Sequence, residues 1–282
     1  MEKFRLIPLL TAAVMGCTAL LAGCGKGSDS SSSKAEEGAK TSDDGSINKD
    51  LTSTELARLL GNGTNLGNTM EAYGHKSYSA DTDPESFETF WGQPVTTEEM
   101  IKGMKASGFD SLRVAWTNAM EYEKGDYTIN EAYLDRVEEV INYALDNDMY
   151  VIINDHWDGS WWGMFGSSKQ SDVDKAFEMY KSMWTQIANR YKKYSDRLIF
   201  EGANEELGDR LNDTDVCKNS GSLSKAECYE MANKINQTFV DTVRATGGNN
   251  EQRFLLIAGY NTDITMTCSN KFQMPTDAAK DK

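Results

Sequence analysis

From Leu51 onward, short apolar runs alternate with longer segments in which apolar residues recur every three or four positions. Five runs have strand length: Gly63 to Asn68, Ser111 to Trp116, Tyr150 to Asp155, Leu198 to Ala203 and Phe254 to Tyr260. Within them "YVII" and "FLLIA" are apolar on both faces, the pattern of a parallel sheet covered on each side. The segments between predict helices. "YLDRVEEVINYALDNDM" places Leu134, Val137, Ile141 and Leu145 on one helical face, as expected for a helix lying on a sheet. Thr96 with Glu99, and Ser224 with Glu227, have the spacing of capping boxes, in which two orphan amides at a helix start are satisfied reciprocally.

Strand and helix in alternation predict an α/β protein, as either an open doubly wound sheet or a (β/α)8 barrel. Gly-rich phosphate-binding fingerprints are absent from the sequence. Asn68, Arg113, Trp116, Asn154, His156, Asn204 and Glu205 all fall at or just past the C-terminal ends of different strands, where a barrel assembles its site. A (β/α)8 TIM barrel is therefore predicted. Strand centres near 66 and 256 lie four units apart, about 48 residues per unit, so eight units need roughly 380 residues where about 230 follow position 50. The expectation is a barrel truncated after its fifth strand.

The N-terminus has Lys3 and Arg5, an apolar stretch from Leu6 to Leu21, then the small residues Ala22 and Gly23 before Cys24. This reads as a signal peptide over residues 1–23. Leu21-Ala22-Gly23-Cys24 is similar to a bacterial lipobox, which makes Cys24 the expected lipidation site. The protein is then expected on the extracellular face of the membrane, lipid-anchored, or else secreted. Residues 24–50 are nearly all Gly, Ser, Lys and acid, too polar to offset chain entropy by burial, and predict a flexible tether. Residues 51–282 form the predicted folded domain.

A formal charge of -15 over 282 residues excludes nucleic acid and charge-driven binding to anionic lipid; neutral or cationic substrates remain. Cys217 and Cys228, with only a short loop-like stretch between them, could pair outside the cytosol or stay reduced, leaving Cys268 odd. No histidine lies near them in sequence, and no metal or cofactor is expected.

The series "GTNLGNTMEA", "GFDSLRVAWTN", "YVIINDHWDGSWW", "LIFEGANEE" and "FLLIAGYNTD", in this order from residue 63 to 263, resembles glycoside hydrolase family 5, the cellulase family. The resemblance implies a retaining endo-β-1,4-glucanase. It places the acid/base at Glu205, the sugar-binding amide at Asn204, and family residues at Arg113 and His156. Asn68, Trp161 and Trp162 are expected to contact the sugar, the indoles as stacking platforms. Trp157 is a further candidate. The nucleophile the resemblance implies, a Glu ending a seventh strand, is expected to lie outside this chain, so an inactive fragment is one expectation. The sequence also has Glu206 where the family's "NEP" has proline.

The chemistry explains why such a set is needed. An acetal breaks through an oxocarbenium-like state, so one carboxyl protonates the leaving oxygen while a second, about 5 Å away, attacks the anomeric carbon. A proton donor near neutral pH must keep its proton, so the Glu205 pKa is expected to be raised by burial and by a nearby carboxylate. Arg113 is expected to hold the second carboxylate ionised, and His156 to donate to a sugar hydroxyl or to that carboxylate. The expected partner is β-glucan or a related plant polysaccharide, met by a monomer. Mannan, xylan and xyloglucan are alternative substrates, and a non-catalytic sugar-binding lipoprotein is the alternative class.

Overall fold

A computed structural model describes residues 41–72, 82–116, 127–156, 161–213 and 221–282. Cys24, His75, Trp157 and Cys217 lie outside these residues. Five strands form one sheet: β1 (Gly63–Leu66), β2 (Ser111–Trp116), β3 (Tyr150–Asp155), β4 (Leu198–Glu201) and β5 (Leu255–Leu256). They are ordered β1 to β5 in space and every neighbouring pair is parallel. Helices α1 (Ser53–Leu59), α2 (Pro84–Thr89), α3 (Glu98–Ala106), α4 (Glu131–Asp146), α5 (Gln170–Tyr191), α6 (Lys225–Ala245) and α7 (Ile264–Thr267) precede, connect and follow them. Sequential parallel strands joined by helices make up part of a β/α barrel.

Side chains alternate across the strands, so each strand feeds two different cores. Leu112, Val114 and Trp116 of β2, Val151 and Ile153 of β3, and Leu198 and Phe200 of β4 pack in the main core, which includes Val137 and Ile141 of α4 and Tyr180 and Trp184 of α5. The alternate residues Tyr150, Ile152 and Ile199 belong to a smaller cluster with Phe254 and with Leu56 of α1. That helix therefore plugs the inner side of the sheet at the N-terminal ends of the strands. Deleting a buried leucine of this kind costs about 2–5 kcal/mol.

The strand predictions hold closely for β2 and β3 and overrun the others. β1 stops at Leu66 because Asn68 takes a left-handed conformation, φ 59°, which ends extended pairing. β5 is short because it is the sheet edge among the described residues, and the chain soon reaches Asn261 and Thr262, at φ 53° and 51°. One predicted cap is corrected. The N-cap of α3 is Thr97, accepting from the Met100 amide. Thr96 is instead buried, and its amide donates to Glu88 Oε2 at 2.7 Å. The Ser224–Glu227 capping box is present, and Thr52–Glu55 forms another.

The tether boundary also moves, because residues 41–50, read from composition as flexible, are docked. Asp43 accepts from the Ser195 amide (2.8 Å) and hydroxyl (2.5 Å). Asp196 accepts from the Asn48 amide at 2.8 Å, and Asn249 Nδ2 donates to Gly45 O at 2.8 Å. Hydrogen bonds from short polar side chains hold this strap, so hydrophobic periodicity could not reveal it.

Candidate active site

The strands place a polar cluster at their C-terminal ends. Asn65, Arg113, Ile152 and Ile199 share one register row, and Ala115, Asn154 and Glu201 share the row two residues further on. Arg113 thus rises on the inner side of β2 toward Glu201 at the end of β4. Its Nε donates to Glu201 Oε2 at 2.6 Å and its Nη2 to Oε1 at 2.9 Å, the bidentate geometry suited to a guanidinium. The same fork reaches Asn204 Oδ1 at 3.0 Å and Asn65 Oδ1 at 3.4 Å.

His156 follows β3, held by its amide donating to Trp116 O at 2.8 Å. Its Nδ1 lies 3.3 Å from Arg113 Nη1 and 3.2 Å from Asn154 Nδ2. A guanidinium can only donate, so Nδ1 is the acceptor and the proton sits on Nε2. Burial, reinforced by the Arg113 charge and opposed by Glu205, lowers the His156 pKa to about 4. The ring is neutral near pH 7 and presents an N–H donor. Asn154 is fully buried and its Oδ1 has no hydrogen-bond partner among the described residues.

Two buried carboxylates flank this cluster. Glu201 has its pKa raised by burial, against the lowering effect of Arg113. Glu71, also raised by burial, accepts from the amides of Asn68 and Thr69 and so holds the left-handed turn at the end of β1. The side chain that reaches toward open solvent is Glu205. It is 58% exposed and pairs with Arg210 Nη1 at 2.8 Å. Asn204 Nδ2 donates to His156 O at 3.4 Å, and the Asn204 amide donates to Glu206 Oε2 at 2.9 Å.

Of the predicted residues, Arg113, His156 and Asn204 come together, Glu205 follows Asn204 at the same strand tip, and Asn68 is exposed at the end of β1. The expectation for the two tryptophans is corrected, and Arg113 and Glu205 are placed as follows. Arg113 grips Glu201, because both lie on the inner side of the sheet, so its fork is already engaged by a carboxylate on β4. The described residues do not bury Glu205. Trp161 and Trp162 are 0% and 5% exposed; they stack on each other at 4.9 Å and pack with Phe165 and Tyr180. Neither indole offers a free face to a sugar, and Trp162 Nε1 donates to Asp155 at 3.2 Å.

Sequence reasoning assigns no role to Glu201 of "LIFEGANEE". Its signal was the period of two, which sets an acid on the same face as Ile199. Among the described residues no group of three or more His, Cys, Asp or Glu is placed to hold a metal ion. Cys228 is a free, buried thiol.

Parallel β/α units with an ion-paired arginine, a neutral histidine and an Asn-Glu pair at neighbouring strand tips define a barrel protein of the glycosidase type. Residues 75–282 match the family model for cellulase, glycosyl hydrolase family 5, and the chain belongs to that family. It is 38% identical over 235 residues to a xyloglucan-specific endo-beta-1,4-glucanase of Bacteroides ovatus, covering 83% of this chain and 44% of that protein. It is 37% identical over 238 residues to endoglucanase A of Paenibacillus barcinonensis, covering 81% and 54%. The chain thus spans about half the length of these relatives. Among solved structures, a broad-specificity endoglucanase of Clostridium longisporum superposes with a TM-score of 0.69 at 32% identity, covering 81% of this chain and 62% of that one. A Bacteroides ovatus xyloglucanase in complex with a heptasaccharide gives 0.67 at 36% identity, covering 82% and 47%.

Proposed function

We propose that the protein is a retaining endo-β-1,4-glucanase in which Glu205 protonates the leaving oxygen and then activates water. The observation that carries this is the Asn204-Glu205 pair at the tip of β4, with Asn204 held by Arg113 at 3.0 Å. In this reading Asn204 binds the sugar hydroxyl beside the breaking bond, and neutral His156 donates through Nε2 to substrate. Asn68 adds a polar contact from β1. Arg113 and Glu201 hold these groups in place, since two parallel hydrogen bonds fix the guanidinium plane. The partner carboxylate belongs on a seventh strand by family resemblance; the described strands reach β5.

β-1,4-Glucan, including xyloglucan, is the substrate class that the two kinds of relative support. Anchoring through Cys24 at the cell surface completes the proposal and rests on the Leu21 to Cys24 quartet; Cys24→Ser should leave the protein unprocessed or soluble, and retention of labelled fatty acid in that variant counts against it.

Glu205→Gln keeps shape and removes the transferable proton. On unactivated glucan the full-length protein should lose at least about a hundredfold in rate. Wild-type turnover in that variant overturns the assignment.

A further inference from the structure

The loop that leaves β4 with Asn204 and Glu205 is tied to the turn after β5 by groups that the proposed chemistry does not use. Asn261 and Asp209 bond reciprocally: Asn261 Nδ2 donates to Asp209 Oδ2 at 2.8 Å, and the Asp209 amide donates to Asn261 Oδ1 at 2.8 Å. The Asn261 amide also donates to Leu207 O at 2.7 Å. The Tyr260 hydroxyl donates to Asp209 Oδ1 at 2.7 Å, and Lys225 Nζ reaches Oδ2 at 3.1 Å. The fit is close enough that a Cβ on Gly208, which sits at φ 131°, would fall 2.0 Å from Asn261 Oδ1.

This clasp is held at a conformational cost. Asn261 and Thr262 are consecutive non-glycine residues with positive φ, a backbone state that persists only where surrounding contacts over-determine it and that concentrates at functional sites. The residue after Asp209 is Arg210, whose guanidinium reaches back to Glu205 at 2.8 Å. Glu205 is 58% exposed, so packing among the described residues does not fix its rotamer. Arg210 bonds its carboxylate, and the backbone at Arg210 directly follows the clasp residue Asp209. An acid that must meet a leaving oxygen within hydrogen-bond reach needs such an anchor.

We propose that Asp209 and Asn261 are positioning residues that aim Glu205 through Arg210. The proposal rests on Glu205 being the proton donor. Asn261→Asp sets a second carboxylate against Asp209 and should open the clasp. Asp209→Asn combined with Asn261→Asp restores an amide–carboxylate pair with donor and acceptor exchanged.

The readout is kcat/KM of the full-length protein on two substrates. A cello-oligosaccharide has a poor leaving group that needs the proton; from 2,4-dinitrophenyl β-cellobioside the dinitrophenolate leaves as a stable anion without it. Asn261→Asp should lose about tenfold or more on the oligosaccharide and less than about twofold on the aryl glycoside, with the double variant regaining most of the loss. Equal losses on both substrates, or no loss on either, overturn the proposal, because a clasp that merely supports the fold affects both alike. Glu205→Gln is run beside them. If it shows no leaving-group-dependent loss, the proton-donor reading itself falls; if it does while Asn261→Asp matches wild type, only the clasp falls.

Discussion

Two arginines, one buried and one half-buried, sit at opposite ends of the strands. Arg253, just before β5, is 0% exposed and donates only to neutral oxygens. Its Nε bonds Asn250 Oδ1 at 2.7 Å, Nη1 bonds the carbonyls of Ser195 (2.8 Å) and Leu198 (2.6 Å), and Nη2 bonds those of Tyr191 (3.0 Å) and Tyr194 (2.9 Å). Its guanidinium also lies over the Phe200 ring at 4.8 Å. Burial lowers its pKa to about 9, opposed by the charges of Asp43 and Asp196, so it remains protonated near pH 7. Every donor is satisfied by the fold itself. Arg113 instead grips a carboxylate and touches Asn65, Asn204 and His156, beside the Asn154 oxygen that has no partner among the described residues. In β/α barrels the N-terminal end stabilises and the C-terminal end reacts, and these two side chains show the division in hydrogen-bond terms.

The sharpest break in that comparison comes from removing each guanidinium. Arg253→Met removes five buried hydrogen bonds at once, those to Asn250 Oδ1 and to four carbonyls, and should destabilise by about 4 kcal/mol or more, measured by urea unfolding. Per folded molecule its kcat/KM should stay at wild type; a specific catalytic loss would erase the distinction between the two ends.

Arg113→Met strands Glu201 without its partner, an expected loss of about 3 kcal/mol at pH 7. Burial already raises the Glu201 pKa, and losing Arg113 raises it further. The folded variant then holds this proton more tightly than the unfolded chain, so lowering the pH restores part of the loss. Unfolding at pH 7 and pH 5 should show the gap narrowing at the lower pH for Arg113→Met and much less change for Arg253→Met. A gap that does not change with pH would mean Glu201 is not the group left exposed to the loss.

A smaller effect tests whether the strap belongs to the N-terminal end. Asp43 has a side chain only 2% exposed, and Asp43→Ala removes its bonds to Ser195, for about 1–2 kcal/mol. Limited proteolysis should then cut within residues 41–50 faster than in wild type; equal cutting would return the strap to a passive tether.

The sequence showed the parallel α/β plan because interior strands with partners on both sides, β2 and β3, carry unbroken apolar runs. It also showed Arg113, His156 and Asn204, since strand ends are where polarity interrupts those runs. What it hid was set by tertiary packing. "HWDGSWWG" has loop composition, yet Trp161 and Trp162 are buried against α5, which composition cannot reveal. Glu201 was hidden because both faces of β4 are apolar, which masks the alternation that points it at Arg113. Residues 41–50 are polar on every face, and only their long-range hydrogen bonds make them structure.

His156 tests the reactive end through pH and not through a lost contact. With its pKa lowered to about 4 from an ordinary 6.5, the folded chain leaves this ring neutral over a range where the unfolded chain protonates it. The stability that neutral His156 contributes is therefore complete above pH 6.5 and is lost as the pH falls toward 4. This runs opposite to Glu201, whose raised pKa favours the folded state at lower pH. His156→Gln keeps a polar side chain and removes the titration, so its Tm should fall less steeply than wild type between pH 6.5 and 4.5. At pH 7.5 the two slopes should be alike, because neither ring nor amide then takes up a proton. Parallel Tm curves across the acid range would mean that His156 takes up its proton alike in the folded and unfolded chain, and the neutral ring that accepts from Arg113 through Nδ1 would not hold in that range.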